Sequence, residues 1–483
     1  MQINKKENFS DWFNTVLDLA ELVDIRYNVK GCIVIRPWAA KTIKLMYLDY
    51  EKELEKNGHS VVIFPALIPK SNFDIEKKHV KGFTPEVFWV ERAGKDKLEE
   101  KLALRPTSET AMYKMFSLWI QGVADLPLKL YQSCQVWRYE TKATKPFFRS
   151  REFYWIEAHN AFATAAQAQA QVLEDMSMTE NVVHQKYKIP FIFFQRPEWD
   201  KFPGADKTFA ADTLMPDKKV LQLPSTHLLG QNFSKAFNIT YLDNQGKREY
   251  VWQTCYGPAI SRIYGAMFSI HGDNRGIILP FDYAPIQIVI IPIINKEINP
   301  AAVLEYSKNI YQILKDSGFR IHLDDGSTTP GFKFNYWEVR GVPFRLEIGQ
   351  KEFETGTVAL VPRDKSKVDA KIIKVDELIQ SLKKEILDFD RRIAQRADEN
   401  FAALQTQASS LAELEEKLKN FGLIKIPFCS IDMDGENCAK TLKEKYSLDV
   451  RGIKYPPEQK PSGLKCIVCS KEAKEFVYVA KQY

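Results

Sequence analysis

The 483-residue chain lacks any apolar run long enough to cross a membrane. Its longest, Ile286 to Ile294, falls far short of the roughly 20 residues a spanning helix needs. A signal peptide is not expected either, because Asp11, Asp18, Glu21 and Asp24 interrupt the apolar residues of the N-terminus. Phe9, Phe13, Val16, Leu17 and Ala20 instead fall on one side of a predicted amphipathic helix. A Gly-rich phosphate loop of the Walker type is missing, which excludes a P-loop ATPase. Cysteine is sparse and odd in number: seven, of which Cys32, Cys134 and Cys255 sit alone among apolar residues. That usage excludes a disulfide framework and implies a reducing, cytoplasmic setting. Strong charge of one sign is lacking too; a net +6 permits a nucleic-acid partner without demanding one. Internal repeats and low-complexity tracts are absent.

What remains is an ordinary globular composition, 45% hydrophobic and 27% charged, in a chain long enough for about three domains. Its most telling stretch runs from Tyr131 to Glu157. Two runs rich in Val, Trp, Tyr and Phe flank a segment of Thr, Lys and Pro, the pattern of an antiparallel hairpin with a long connection. Arg138 and Glu140, two apart on the first strand, leave the same face. A guanidinium can clamp a phosphate or carboxylate in bidentate fashion, while a carboxylate accepts from an exocyclic amine. A cross-strand ion pair on a solvated hairpin would use the same two residues.

Elsewhere, residues 38–57 read as a helix stopped by Gly58, followed by a strand from His59 to Pro65. Leu104-Arg-Pro-Thr107-Ser-Glu109-Thr opens another helix, with Thr107 as N-cap and Glu109 in the first turn. Residues 164–186 are helical in pattern, and a strand at 250–255 runs through Tyr256-Gly257-Pro258 into a helix bearing Arg262. Strands outnumber parallel βαβ units, so an antiparallel sheet is expected. Beyond about residue 281 the pattern alternates: strand 286–294, a helix capped by Asn299 with Pro300 first and Gly318 as its stop, strand 319–323, helix 330–340, then strands 343–348 and 355–361. Spacings of three and four among Leu378, Leu382, Ile386, Phe389, Ile393, Ala397, Phe401 and Leu404 make 376–420 an amphipathic connector. The last segment holds Cys429, Cys438, Cys466 and Cys469. Four thiols in a segment too small for a large core predict one structural Zn²⁺, although Cys429-x₈-Cys438 is wider than the usual ligand spacing.

Arg138-x-Glu140, a loop, Arg149-x-x-x-Phe153 and Glu157 resemble motif 2 of the class II aminoacyl-tRNA synthetases. The helix–strand pair at 38–65 resembles motif 1, a dimer interface in that family, and Tyr250 to Arg262 resembles motif 3. Pro330 to Lys351 is similar to the anticodon-binding module of class IIa. In order and wording the whole chain looks like a prolyl-tRNA synthetase of the archaeal and eukaryotic kind.

The resemblance implies an α+β fold. It comprises a class II antiparallel-sheet catalytic domain (1–281), an α/β anticodon-binding domain (282–378), a helical connector (379–420) and a small zinc-binding-like C-terminal domain (421–483). It implies activation of L-proline with ATP and Mg²⁺, transfer to the 3′ end of tRNA(Pro), and a cytoplasmic homodimer. By the same resemblance Arg138 and Arg262 act in catalysis, and Arg138, Glu140, Arg149, Gln222, Ser225 and Arg262 bind ATP. Thr107, Glu109, Arg138, Trp155, Glu157, His159, His227 and Cys255 bind proline, with Phe83 and Glu86 on a mobile loop. Glu338, Arg345, Lys351 and Glu352 read the anticodon. A guanine edge offers two N–H donors and one acceptor, which suits a carboxylate beside a cation.

Two rivals stand beside this reading. One is another class IIa synthetase; the threonyl enzymes place zinc in the amino-acid pocket, and no Cys/His set near the motifs fits that here. The other is a synthetase-like, non-catalytic RNA-binding paralogue, against which the intact Arg138, Glu140 and Arg262 argue. The span between motifs 2 and 3 has no room for a bacterial-type editing domain, and Cys255-Tyr256-Gly257-Pro258 departs from the Ser-Trp-Gly of many relatives.

Overall fold

A computed structural model describes residues 3–79, 86–139, 143–294 and 299–483, apart from the side chains of 75–79. Glu140 and Phe83 lie outside the described residues.

The apolar stripe near the N-terminus becomes α1 (Phe9–Leu19), which buries Phe9, Phe13, Val16 and Leu17 as its spacing predicts. Then follow α2 (Pro37–Lys56), β1 (Ser60–Val61), α3 (Glu109–Trp119) and the hairpin strands β2 (Leu128–Trp137) and β3 (Glu152–Phe162). After α4 (Ala165–Thr179) come β4 (Ile192–Gln195), β5 (Lys207–Leu214), β6 (Val220–Gly230), β7 (Trp252–Gly257) and α5 (Ile260–His271). In space the strands run β4-β5-β6-β7-β3-β2-β1, antiparallel throughout except for the β1–β2 pair. One buried cluster joins Phe13 of α1, Met46 and Tyr50 of α2 and Tyr264 and Phe268 of α5; another joins Tyr113 and Phe116 of α3 to Phe233 and Phe237.

Three local expectations change. The strand foreseen at 59–65 shrinks to Ser60–Val61, because the Phe64 N–H is taken by the Gln132 side chain at 3.1 Å and not by a ladder partner. Arg138 stands one residue beyond the end of β2, although its N–H still reaches the Arg151 carbonyl at 2.9 Å. The N-cap position of α3 is Ser108, not Thr107. Neither hydroxyl caps the helix: Thr107 donates to Glu109 and Ser108 to Glu157, and the Ser108 oxygen accepts from the Gln132 amide at 2.8 Å instead of from a helix N–H.

The next unit comprises β8 (Ile288–Pro292), α6 (Pro300–Asp316), β9 (Ile321–Leu323), α7 (Pro330–Val339), β10 (Phe344–Ile348), β11 (Thr357–Pro362) and β12 (Lys371–Lys374). Its sheet runs β9-β8-β10-β11-β12, parallel among the first three. Asn299 caps α6 by accepting from the Ala302 N–H, and Gly318, at φ +85°, follows its end. A 26-residue helix, α8 (Leu378–Ala403), then buries Leu378, Leu382, Phe389, Ile393 and Ala397.

The final segment holds β13 (Gln405–Gln407), β14 (Leu423–Phe428), α9 (Glu436–Tyr446), β15 (Asp449–Tyr455) and β16 (Glu475–Ala480). Its strands extend the first sheet to eleven, in the order β13-β14-β16-β15-β4. At the seam Ile453 pairs with Gln195 and Tyr455 with Phe193. Gly452 sits there at φ +113°, where an added Cβ would lie 1.9 Å from the Gln195 carbonyl oxygen. Only glycine permits that approach.

Candidate active site

Period-2 alternation sends Trp155, Glu157 and His159 off one face of β3 into a cavity of about 310 Å³. Ser225 and His227 of β6 and Cys255 of β7 line the same space, with Thr107 and Glu109 at the start of α3 and Gln222 farther along β6. Arg138 and Arg262 complete it from the hairpin and from α5.

Glu157 is the hub of the floor. It is buried and accepts from the Ser108 N–H at 3.1 Å, from the Ser108 hydroxyl, and from the Gln132 amide at 2.8 Å. His159 places Nε2 3.2 Å from the same carboxylate, and its Nδ1 lies 3.1 Å from the Tyr113 hydroxyl. Burial alone would raise the Glu157 pKa, but His159, Ser108 and Gln132 outweigh it and hold the carboxyl below its usual range. Burial would likewise lower that of His159, yet Glu157 and Glu109 prevail and raise it. The two shifts agree: each group favours the charged form of the other, and removing either would leave its partner buried without it.

Cys255 is held well above the usual thiol range by burial and by Glu109, so it remains a thiol. His227 has Ser225 Oγ 3.0 Å from Nε2 and Thr208 Oγ1 2.9 Å from Nδ1. Burial, then the positive charges of Arg196 and His159, push it down to about 3, so it is neutral. Arg138 donates from Nε to the Pro106 carbonyl at 3.0 Å, and its guanidinium lies 5.1 Å and 5.6 Å from the Phe153 and Trp155 rings. Arg262 donates to the Phe148 carbonyl at 3.2 Å and to that of Gln222 at 3.4 Å.

Not every expected residue converges here. Arg149 lines a neighbouring cleft with Arg26, Tyr27 and Arg36. The Glu86 carbonyl accepts from the Tyr139 N–H at 2.8 Å, beside the motif 2 strand. Near the motifs, Glu109, His159 and Cys255 bring ligand atoms within 4.8 Å of one another. Residues 109, 159 and 255 come from three separate elements, so no sequence spacing reveals them. Both ring nitrogens of His159 are already engaged, by Tyr113 and Glu157.

Glu338 and Arg345 meet in a small groove of the second unit, beside Arg275, Arg363 and Trp337. Glu338 accepts from Arg275 at 2.7 Å, and Arg345 donates to Glu347 at 2.9 Å. Lys351 and Glu352 lie outside that groove, on the short helix Gln350–Thr355, where Glu352 accepts from the Gly349 N–H at 2.9 Å. The sulfurs of Cys429, Cys438, Cys466 and Cys469 gather within 4.8 Å of one another. The wide first spacing is absorbed because Cys429 follows β14 directly while Cys438 lies in the first turn of α9.

Sequence reading missed Arg196, Asp212 and Arg451, all buried, of which both arginines line the cavity. A signal was present: a charged residue inside an otherwise apolar strand, as in Phe-Ala-Ala-Asp212-Thr-Leu, is rarely buried without a partner.

An antiparallel sheet presenting arginines to a cavity, with a helix leading away from it, is the architecture of a class II synthetase. The class II tRNA synthetase core domain (G, H, P, S and T) matches residues 88–271, the anticodon binding domain residues 287–385, and the prolyl-tRNA synthetase C-terminal domain residues 411–483. The chain belongs to the proline–tRNA ligase family. It is 50% identical to the proline–tRNA ligase of Thermofilum pendens over 483 residues, covering all of this chain and 98% of that one. Identity to the Pyrococcus abyssi proline–tRNA ligase is 42%, over 99% and 98% of the two chains. The solved prolyl-tRNA synthetase of Giardia lamblia in complex with prolyl-adenylate superposes with a TM-score of 0.95 at 38% identity, covering 100% and 99%. That of Cryptosporidium parvum complexed with halofuginone and AMPPNP gives 0.94 at 32% identity, with the same coverage.

Proposed function

We propose that this chain activates L-proline with ATP and transfers the prolyl group to the 3′ end of tRNA(Pro), and that the cavity above is where the first step occurs. The observation that carries the assignment is the polarity of the cavity. Buried Glu109, with Thr107 and the Glu157–His159 pair, lines it together with the guanidiniums of Arg138 and Arg262. Proline has the matching polarity. Its secondary ammonium, with two N–H donors, meets Glu109 and Thr107, while Trp155, His159, His227 and Cys255 wall the ring. Its carboxylate meets Arg138, which also holds the α-phosphate.

A carboxylate oxygen attacks the α-phosphorus as the bond to pyrophosphate breaks. Such a displacement needs alignment and fixed positive charge more than acid–base help. Arg262 takes the outer phosphates, Mg²⁺ accompanies ATP, and Gln222, Ser225 and Glu140 serve the adenosine. Amino-acid-dependent pyrophosphate exchange, run with all twenty amino acids, tests the reading. Exchange with proline is expected; exchange with threonine instead, or with nothing, sinks it.

The α/β unit reads the anticodon through Glu338 and Arg345, with Lys351 and Glu352 at its margin. Cys429, Cys438, Cys466 and Cys469 hold one structural Zn²⁺; the fit rests on four sulfurs already clustered in a small segment. Metal analysis giving well under one zinc per chain overturns that assignment. The motif 1 face forms a cytoplasmic homodimer, a reading supported by Ile63, which is 91% exposed. The division at residues 281, 378 and 420 keeps the first chemical step, anticodon reading and the zinc site on separate segments, although the strands from Gln405 onward extend the catalytic sheet.

A further inference from the structure

The catalytic cavity is partly walled from outside the catalytic sheet's own segment. Arg451 and Gln482, both from the C-terminal segment, line it beside Arg196 and Gln222. Arg451 lies on β15, the strand that docks onto β4 through the close approach at Gly452. From there it donates from Nε to Asp212 Oδ2 at 2.8 Å and from Nη2 to Oδ1 at 3.1 Å. Arg196 grips the same carboxylate with Nη1 at 2.9 Å and Nη2 at 2.7 Å. All three side chains are at most 2% exposed. Arg196 Nη2 also donates to the amide oxygen of Gln222 at 3.1 Å, and its Nη1 to the Arg451 carbonyl at 2.8 Å. With that oxygen occupied, the amide nitrogen of Gln222 is the end left to serve the cavity.

We infer that Arg451 is a positioning residue for the nucleotide side of the active site, orienting Gln222 through Asp212 and Arg196. The inference rests on the reading of Gln222 as an ATP contact. Asp212 alone cannot fix the Arg196 plane, because a single bidentate pair leaves the carboxylate free to swing. A second fork on the same two oxygens locks carboxylate, Arg196 and hence the amide. The C-terminal segment is thereby part of the catalytic apparatus and not merely a zinc-bound support.

The test is proline-dependent pyrophosphate exchange with the full-length chain. Arg451→Gln is expected to raise the KM for ATP about tenfold, the equivalent of one hydrogen bond, and to leave the KM for proline within twofold. Arg451→Lys keeps the charge without the fork and should fall between; if Arg451→Gln fails to fold, the lysine variant alone decides. Gln222→Ala should raise the ATP KM by itself, and adding Arg451→Gln should then cost nothing further. A purely structural Arg451 would lower the melting temperature and leave both KM values unmoved. An ATP KM within twofold of wild type in the folded variant, or additive effects in the double variant, overturns the inference. If Gln222→Ala leaves the ATP KM unchanged, the nucleotide reading of Gln222 falls and the inference with it.

Discussion

His59 and His271 are buried and His227 is half-buried, and desolvation is the first cause that pushes all three down to about 3. Unfolded, a histidine takes up its proton near pH 6.5. Between these values the unfolded chain binds more protons than the folded one, so each such site loses stability as pH falls. Asp175 acts in the opposite direction: burial raises it to about 7, so it opposes folding as pH rises from about 4 to 7. His271 is the last residue of α5, does not line the cavity, and contacts the Tyr187 carbonyl through Nε2 at 2.9 Å. His271→Gln is expected to be less stable than wild type at pH 7, with a gap that narrows by roughly 2 kcal/mol on going to pH 5. Denaturant midpoints of both proteins at the two pH values check this. A constant gap would mean that His271 is charged in the fold or does not titrate on unfolding.

At the scale of elements, the hairpin, α1, α6 and the α/β unit were legible because their signals are local. Asn299, Pro300 and Gly318 bound α6 wherever the rest of the chain goes. Trp155, Glu157 and His159 were named through the family resemblance, and the alternation of β3 puts them on one face. Three things were hidden. The truncation of β1 depends on the Gln132 side chain, the hydroxyls of Thr107 and Ser108 abandon the helix for buried carboxylates, and β15 joins β4 across more than 250 residues of chain. Each is decided by a non-local partner, which no window of sequence contains. The α/β unit yields its own prediction. Arg345 lies 4.3 Å from the Phe334 ring and donates to Glu347, away from the cavity. Arg345→Ala should weaken tRNA charging by on the order of 1–3 kcal/mol, by analogy with base readout, and leave pyrophosphate exchange near wild type. Equal losses in both assays would place this unit in the chemical step.

In the whole molecule, segments remote in sequence converge on one cavity. Lys145, in the hairpin connection, has its ammonium between 4.8 Å and 5.4 Å from the rings of Phe9, Phe13, Phe148 and Tyr483. The N-terminal helix and the last residue therefore meet at the loop that follows Arg138. Arg451 reaches the cavity from a strand of the same eleven-stranded sheet. Such convergence is what a reaction dominated by alignment requires. The function proposed above puts Arg138 at its focus, where it is to hold two mutually repelling anions in one geometry. Lysine would keep the charge but replace a planar fork by a compact ammonium. The most direct test of the site is therefore proline-dependent pyrophosphate exchange by Arg138→Lys. Loss of one such contact should raise the barrier by roughly 3–4 kcal/mol, a few hundredfold in kcat, with folding intact. Exchange within threefold of wild type would contradict the account: Arg138 would then be a surface ion-pair partner and the cavity not the place where proline meets ATP.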